Sequence, residues 1–449
     1  MPSTTSENSL FHRDADYSYP VVVRGEGIYL FDENGKRYID GGAGAGNVTL
    51  GHGRERIANV LADQAKTLAY CFSAYFTNRL ALTLAERVTK VAPGDLNHVY
   101  FVSGGSEGIE TALKIARQYQ VQRGQTQKQK VIARWRSYHG ASLGALSCTG
   151  IPSMRSHFAP WLADFPHIPP CYSYRCELAG CEGTCNLTCA DELERAIIHE
   201  GPENVAAFIA EPIVQGHVAA AVPPPDYFKR IREICDRYDV LLILDEVITA
   251  FGRMGKYFAI EHFDVVPDIA VFAKAISSGY CPLGGVVFSD KIAESYASSG
   301  KPFAHVFTYV NNPLAMRVGL EVLDIMEEEK ILEHVTEVGA YLQQKSREVL
   351  SQHSCVGEIR GLGLSLGVEL VRDRATKEPF ETSQNVSKIL GQLLLDRGLS
   401  MSAVGGVADF TRGEDIRFNP PLIITHEQID EALDIMDESL TELEGKLGV

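Results

Sequence analysis

The sequence predicts an α/β protein: a large domain with a mostly parallel central sheet flanked by helices, plus a smaller α+β domain. Three observations predict it. Short apolar runs alternate with helical periodicity from about Val99 to Phe288, and that alternation builds parallel sheets with helices on both faces. The run Val240 to Leu244 (VLLIL) is apolar without a break, as a strand buried on both faces requires. From Ile331 onward, helices and short strands lose the strict βα order, which indicates a separate α+β unit.

The 449 residues exceed one ordinary core. With 45% hydrophobic and 22% charged residues the composition is that of a soluble globular protein. The net charge of −16 and the lack of any Lys/Arg-rich run argue against a nucleic-acid partner, because phosphate neutralisation needs clustered cations. An anionic small ligand in a locally positive pocket is not excluded. No apolar run reaches the roughly 18 residues of a membrane span, so no membrane partner is expected. The polar start MPSTTSENSLFHRDADYSYP has neither a basic lead nor an apolar core, so a secretory signal is not expected and a cytoplasmic location is.

In chain order, Val21 to Asp40 alternates around Asp32-Glu33-Asn34-Gly35 and reads as a small antiparallel hairpin. Gly41 to Gly53 (GGAGAGNVTLGHG) reads either as a flexible linker or as a close backbone approach to a ligand. Helices are expected over Arg54–Leu68 and Leu80–Val91, the second closed by Pro93-Gly94. A strand at Val99–Val102 runs through Ser103-Gly104-Gly105-Ser106 into a helix over Ile109–Gln122. Strand, glycine turn and helix start form either an anion site or an ordinary capped βα turn. The strand Val131–Arg134 leads to Tyr138, which either stacks on a flat ligand or packs. Helix Ala190–Glu200, strand Val205–Ala210 ending at Glu211, and helix Tyr227–Tyr238 precede the strand that ends at Asp245.

A second apolar run, Ile269 to Phe272, is followed by Lys274. If the two strands are neighbours, an acid and a lysine face one crevice at their carboxyl ends, where open α/β sheets bind ligands. Strand Gly284–Phe288, the loop His305–Pro313 and a long helix Leu314–Glu329, read as leaving the core, complete the large domain. The remainder reads as helix Ile331–Leu350, strand and glycine signals over Val356–Val371, helix Val386–Arg397 and a final helix Glu427–Leu443. Five of the ten cysteines, Cys171, Cys176, Cys181, Cys185 and Cys189, cluster in one insertion. Their spacing lacks the paired C-x2-C knuckles of common zinc modules. A metal site, a redox-labile loop and a surface insertion with free thiols all remain open, and no metal ligand is assigned.

One ligand explains an acid, a lysine, an anion turn and an aromatic on consecutive βα turns. Pyridoxal phosphate needs a lysine for its aldehyde, a carboxylate for its pyridine nitrogen, backbone N–H groups for its phosphate and a surface for its ring. Lys274, Asp245, Gly105 with Ser106, and Tyr138 meet those needs in turn. The absence of Gly-x-Gly-x-x-Gly weakens a dinucleotide reading.

The strings FVSGGSE, WRSYHGASLGAL, AFIAEPIVQG, LLILDEVITAFGRMG, PDIAVFAKAISSGYCPLGGV and HVFTYVNNP resemble those of class III, or omega-, aminotransferases of pyridoxal phosphate fold type I. The resemblance runs from about Tyr19 to the final helix. It implies Lys274 as the Schiff-base lysine, Asp245 on the pyridine nitrogen, and Val247 and Tyr138 on opposite ring faces. It implies Gly105 and Ser106 as the phosphate cup and Glu211 near the cofactor's hydroxyl side. Thr308 would reach the phosphate held by a partner subunit, so a homodimer with shared sites is implied. Arg417, in IRFNPP, resembles the carboxylate-binding arginine of ornithine-type members; Arg412 lies near where amine-type members carry a mobile arginine.

Residues 66–328 would form the large domain, with the cysteine insertion at about 170–190. Residues 1–65 and 329–449 would form the small one. The implied activity moves an amino group from an amine, an amino acid or an omega-amino acid to a 2-oxo acid such as pyruvate or 2-oxoglutarate. The same fold also hosts decarboxylating dialkylglycine-type transaminases, aminomutases and phospho-lyases. The sequence departs from the family in its Ser-Gly-Gly-Ser phosphate turn and in the cysteine insertion.

Overall fold

The computed structural model describes residues 9–14, 17–176, 178 and 185–449. Near the start, β1 (Val22–Glu26), β2 (Tyr29–Asp32) and β3 (Arg37–Asp40) form an antiparallel meander. The expected hairpin is β2–β3, its turn fixed by Asp32 Oδ1, which accepts the Asn34 and Lys36 amides at 3.0 and 2.9 Å. A further turn at Gly27, with φ +56, adds the strand not foreseen.

The central sheet holds β4 (His98–Val102), β5 (Lys130–Arg134), β6 (His167–Ile168), β7 (Val205–Ala210), β8 (Leu241–Asp245), β9 (Ile269–Phe272) and β10 (Gly284–Phe288). Their order is β4-β10-β9-β8-β7-β5-β6. The sheet is parallel apart from β10, which runs antiparallel to both β4 and β9. Alternate residues serve two cores, as the period of a strand demands. Val131, Ala207, Ile243 and Val271 pack with Ile109, Ala112 and Ile115 of the helix Gly105–Gln122. Ile132, Phe208, Leu242 and Phe272 pack on the other face with Leu193, Ile231 and Val318 from three further helices.

The third group is β11 (Val356–Leu362), β12 (Ser365–Leu370), β13 (Leu399–Ser400), β14 (Ser402–Gly405) and β15 (Glu414–Phe418). Four of these form an antiparallel sheet in the order β11-β12-β15-β14. The fifth, β13, pairs in parallel with β3, so segments far apart in sequence share the first sheet.

Three expectations need correction. The helix Pro313–Glu328 does not leave the core: Val318, Leu320, Val322, Leu323, Ile325 and Met326 are all buried. It is apolar on most sides because it packs against the helices Glu55–Thr67 and Arg79–Val91 and the turn Lys274–Ser277. The helix expected from Ile109 begins at Gly105, so Gly105 and Ser106 are its first residues. The cysteine segment is not wholly a surface insertion, since Cys171 and Cys189 are buried in the main core. Cys176 is half-buried, Cys185 is exposed and Cys181 lies outside the described residues. Among the described residues, no group of three or more His, Cys, Asp or Glu is arranged to hold a metal, and no helix is long and apolar enough to cross a membrane.

Candidate active site

Because β4, β5, β7, β8 and β9 all run the same way, their carboxyl ends share one edge. The turns leaving these strands deliver Gly105 and Ser106, Tyr138, Glu211, Asp245 with Val247, and Lys274. All seven line one cavity of about 530 Å³. Its place, outside the carboxyl ends of parallel strands, is where doubly wound sheets bind ligands.

Asp245 ends β8 and is paired in register with Val271 of the neighbouring β9. Its Oδ1 accepts the Val247 amide at 3.0 Å, and its Oδ2 lies 2.8 Å from Nδ1 of the buried His139. The carboxylate is only 5% exposed, yet it faces the cavity. Glu246, the next residue, turns away: its carboxylate accepts from the Thr249 hydroxyl and from the Ala259 and Ile260 amides. Burial pushes the Glu246 carboxyl up to about 7. The acid pair Asp245-Glu246 is thus divided into one cavity group and one group that anchors the following loop.

Lys274 leaves β9 with φ +51. Its Nζ donates to the Ala45 carbonyl at 2.7 Å, from the glycine-rich strip Gly41–Gly53. Ala45 and Asn47 of that strip line the cavity, so the strip makes a close backbone approach and is not a linker. Burial brings the Lys274 amine down to about 8, against the pull of Asp245. A neutral amine is the nucleophile, so reaction of Lys274 with an aldehyde is expected to rise with pH through a midpoint near 8 and then level off. An unshifted lysine would still be climbing near pH ~10. A pH series of capture rates checks this.

At the other end, Gly105 and Ser106 open the helix Gly105–Gln122, whose first amides lack helical partners. A Cβ at Gly105 would lie 3.0 and 3.1 Å from the Val247 methyls, so glycine lets the turn sit on the valine. A Cβ at Gly140 would lie 2.5 Å from Ser106 Oγ. Both glycines keep side-chain carbon out of the cup. Ser106 Oγ accepts the Ala141 amide at 3.2 Å, tying the cup to the Tyr138 turn.

Glu211 follows β7 and is 5% exposed. Its Oε1 accepts the Gln215 amide at 3.3 Å, while Oε2 is buried without a hydrogen-bond partner, 3.9 Å from Arg134 Nη2. Burial raises the Glu211 carboxyl above its ordinary range. Arg134, wholly buried, also donates to the Glu211 carbonyl at 2.6 Å and to Cys171 Sγ at 3.1 Å.

The remaining candidates lie outside the cavity lining. Arg417, on β15, donates Nη2 to the Gly216 carbonyl at 3.2 Å, and its Nε is buried without a partner. Gly216 abuts Tyr138, since a Cβ there would fall 2.3 Å from the Tyr138 nitrogen. Arg417 therefore sits one backbone layer behind the aromatic wall. Arg412 does not approach the cavity. Its Nε pairs with Asp409 at 2.8 Å and its Nη1 with Glu381 at 3.1 Å at the surface, because Asp409, three residues earlier, captures it. Thr308 is exposed and its carbonyl accepts the Tyr70 hydroxyl at 2.7 Å.

His139 was given no role from sequence, although it adjoins Tyr138 in the same turn. Its bond to Asp245 spans 106 positions, and only the fold brings the two together. Ile213 and Gln215 are further lining residues without a sequence signal of their own.

Residues 11–440 match the family model "Aminotransferase class-III". A probable aminotransferase of Mycobacterium tuberculosis is 40% identical, with 98% of this chain and 94% of that protein covered. A putrescine–pyruvate aminotransferase of Pseudomonas aeruginosa is 37% identical, with coverage of 94% and 90%. Among solved structures, a transaminase from the marine bacterium Virgibacillus superimposes with a TM-score of 0.91 at 36% identity, covering 100% of this chain and 98% of its own. The chain belongs to the class III aminotransferase family and has its α/β fold. It is a transaminase, of a family that works with pyridoxal phosphate.

Proposed function

We propose that the cavity binds pyridoxal phosphate and that this enzyme moves an amino group from a primary amine or omega-amino acid to a 2-oxo acid such as pyruvate or 2-oxoglutarate. One observation carries the reading: Lys274 and Asp245 face the same cavity from neighbouring strand ends, with the start of a long helix opposite. The residues fit the group. The glycines at 105 and 140 leave a cradle that a Cβ would fill, and the helix start offers amides to a phosphate. Tyr138 and Val247 supply two apolar walls, and a buried carboxylate waits at Asp245.

When bound, pyridoxal phosphate supplies an electron sink that stabilises negative charge on the donor carbon. Lys274 would be the residue that holds the cofactor's aldehyde and, once a donor amine has displaced it, the base and then the acid that carries the donor carbon's proton. The burial that lowers its amine keeps it able to act as a base near neutral pH. Asp245, held in place by His139 and the Val247 amide, would be the carboxylate that partners the ring nitrogen. Gly105 and Ser106 bind phosphate. Arg417 is the group we assign to a substrate carboxylate, which suits an arginine fork. Arg412, tied to Asp409 and Glu381, is not part of this proposal.

A homodimer with shared sites is part of the same reading. Tyr75, Phe76, Val306 and Tyr309 are 80%, 66%, 57% and 61% exposed around the loop that carries Thr308, and an apolar surface of this kind favours a partner. In the dimer Thr308 serves the partner's phosphate. A cytoplasmic setting, where thiols such as Cys71 and Cys281 stay reduced, belongs to the proposal too.

A half-reaction screen tests the function. The loaded enzyme is mixed with diamines, omega-amino acids and α-amino acids while the loss of visible absorbance is followed. Amines or omega-amino acids are expected to bleach it, and pyruvate or 2-oxoglutarate to restore it; no bleaching by any donor would overturn the proposal. Arg417→Ala is expected to raise KM for the 2-oxo acid by about 10- to 100-fold, the cost of a lost charged hydrogen bond. Capture of pyridoxal phosphate should persist in the same variant, with its pH midpoint moved up, because Arg417 opposes the charged form of Lys274.

A further inference from the structure

The strip between β3 and the helix Glu55–Thr67 is wound unusually tightly. Ala43, Gly44 and Gly46 have φ of +44, +65 and +79. The Gly46, Asn47 and Val48 amides are spent within the strip, on the Gly42 and Ala43 carbonyls at 2.8, 2.9 and 3.0 Å. The Ala45 amide donates to Asn47 Oδ1 at 3.0 Å. Asp40, buried at the end of β3, anchors the strip: both of its carboxylate oxygens lie 2.9 Å from the Gly44 nitrogen. His52 Nε2 braces that carboxylate at 3.0 Å. The product of this winding is one carbonyl, that of Ala45, held 2.7 Å from Lys274 Nζ.

We propose that the Ala45 carbonyl, positioned by Asp40 through the Gly44 amide, is the resting site of the Lys274 amine whenever that nitrogen is not covalently engaged. Asp40 is thereby a positioning residue for the reaction. The inference rests on the reading of Lys274 as the residue that captures pyridoxal phosphate. A free amine has N–H bonds to donate. Capture joins nitrogen to the aldehyde carbon, releases the aldehyde oxygen as water, and leaves the nitrogen with at most one hydrogen. Lys274 then leaves Ala45. When a donor amine replaces it on that carbon, Lys274 regains its hydrogens and returns to the carbonyl. There it donates an N–H while its lone pair stays available to take a proton.

The resting site also tunes the amine. Burial is the largest influence on Lys274 and lowers it; Asp245 and Glu211 favour the charged form, and Arg417 and Arg253 oppose it. A carbonyl accepting from Nζ adds to the first pair, because an acceptor stabilises an ammonium more than an amine. Loosening the strip removes that support, so the amine's midpoint moves down.

The test uses enzyme stripped of pyridoxal phosphate and then remixed with it between about pH 6 and 10, a range that brackets the amine. Capture is followed by visible absorbance, and hydrogen–deuterium exchange is read over residues 41–48. Two variants attack the strip independently. Asp40→Asn keeps the shape but loses one acceptor. Gly44→Ala leaves Asp40 in place, but its Cβ would lie 2.8 Å from Asn47 Oδ1 at a φ of +65. Both are expected to raise exchange over the strip about tenfold, the loss of one hydrogen bond. Both should also move the capture midpoint down by about half a pH unit or more. Faster exchange without a midpoint shift would leave Asp40 with a structural role alone and overturn the proposal. Variants identical to wild type in both readouts would overturn it as well. A wild-type enzyme that shows no capture would overturn the underlying reading of Lys274, and the resting site with it.

Discussion

Replacing Lys274 with alanine is expected to abolish amino-group transfer, lowering turnover by at least about 10⁴-fold, the upper range of general acid–base catalysis alone. The loss should be that large because the proposed function gives one nitrogen two duties, covalent anchor and proton carrier, and alanine would perform neither. The visible absorbance of captured pyridoxal phosphate should disappear at the same time. Lys274→Arg keeps a positive charge but cannot form the covalent bond at neutral pH, so it should be equally inactive. That comparison separates lost chemistry from lost charge. A Lys274→Ala enzyme with normal turnover and normal absorbance would end the assignment. Because Nζ is held by a backbone carbonyl in a strip separate from β9, neither variant removes a core contact, and thermal stability should fall little.

Asp245→Asn is the second expectation. The carboxamide keeps the shape and still accepts from the Val247 amide, but it would bring no charge to the ring nitrogen that the proposal places there. Turnover should drop by about 10²- to 10³-fold, the usual cost of removing one oriented electrostatic group from a water-excluded site. Capture by Lys274 should survive, which distinguishes this variant from Lys274→Ala. Since His139 lies 2.8 Å from the same carboxylate, Asp245→Asn also strips a buried imidazole of its anionic partner. His139→Ala should therefore weaken turnover in the same direction by a smaller factor, and the two losses should be less than additive because the residues act through one contact. Single-turnover rates of the two single variants and the double variant decide the matter.

Much of the site is legible in the sequence because it lies on consecutive strand-to-helix turns. The VLLIL run reads as a doubly buried strand, which puts Asp245 at its end; Lys274 follows the next apolar run by two residues. The pairing of β8 with β9 then brought the two into one crevice. Features set by distant partners were not legible. Nothing local marks β10 as reversed, and two-residue strands such as β6 and β13 exist only through their neighbours. His139 gains its meaning from a residue 106 positions away. The helix Pro313–Glu328 was misread for a different reason. Its sequence, PLAMRVGLEVLDIMEE, is apolar on most sides, which marks a buried helix more than a departing one. For Arg412 the local chemistry was decisive, since Asp409 stands three residues away and holds its guanidinium.

The reversed strand β10 has a further consequence: it is a ruler. Inserted between β4 and β9, it sets their carboxyl ends two strand spacings apart, about 9–10 Å. That gap separates the helix start at Gly105 from the lysine that follows β9. In the proposed function that gap would take a flat ring and its phosphate arm. Running backwards, β10 enters from this edge, so β9 needs no crossover helix to reach it. Its first two residues are Gly284 and Gly285, where a Cβ would fall 2.9 Å from the Phe272 carbonyl and 2.4 Å from the Phe272 ring. The strand thus sets the span between the two ends of the cavity from a position between them.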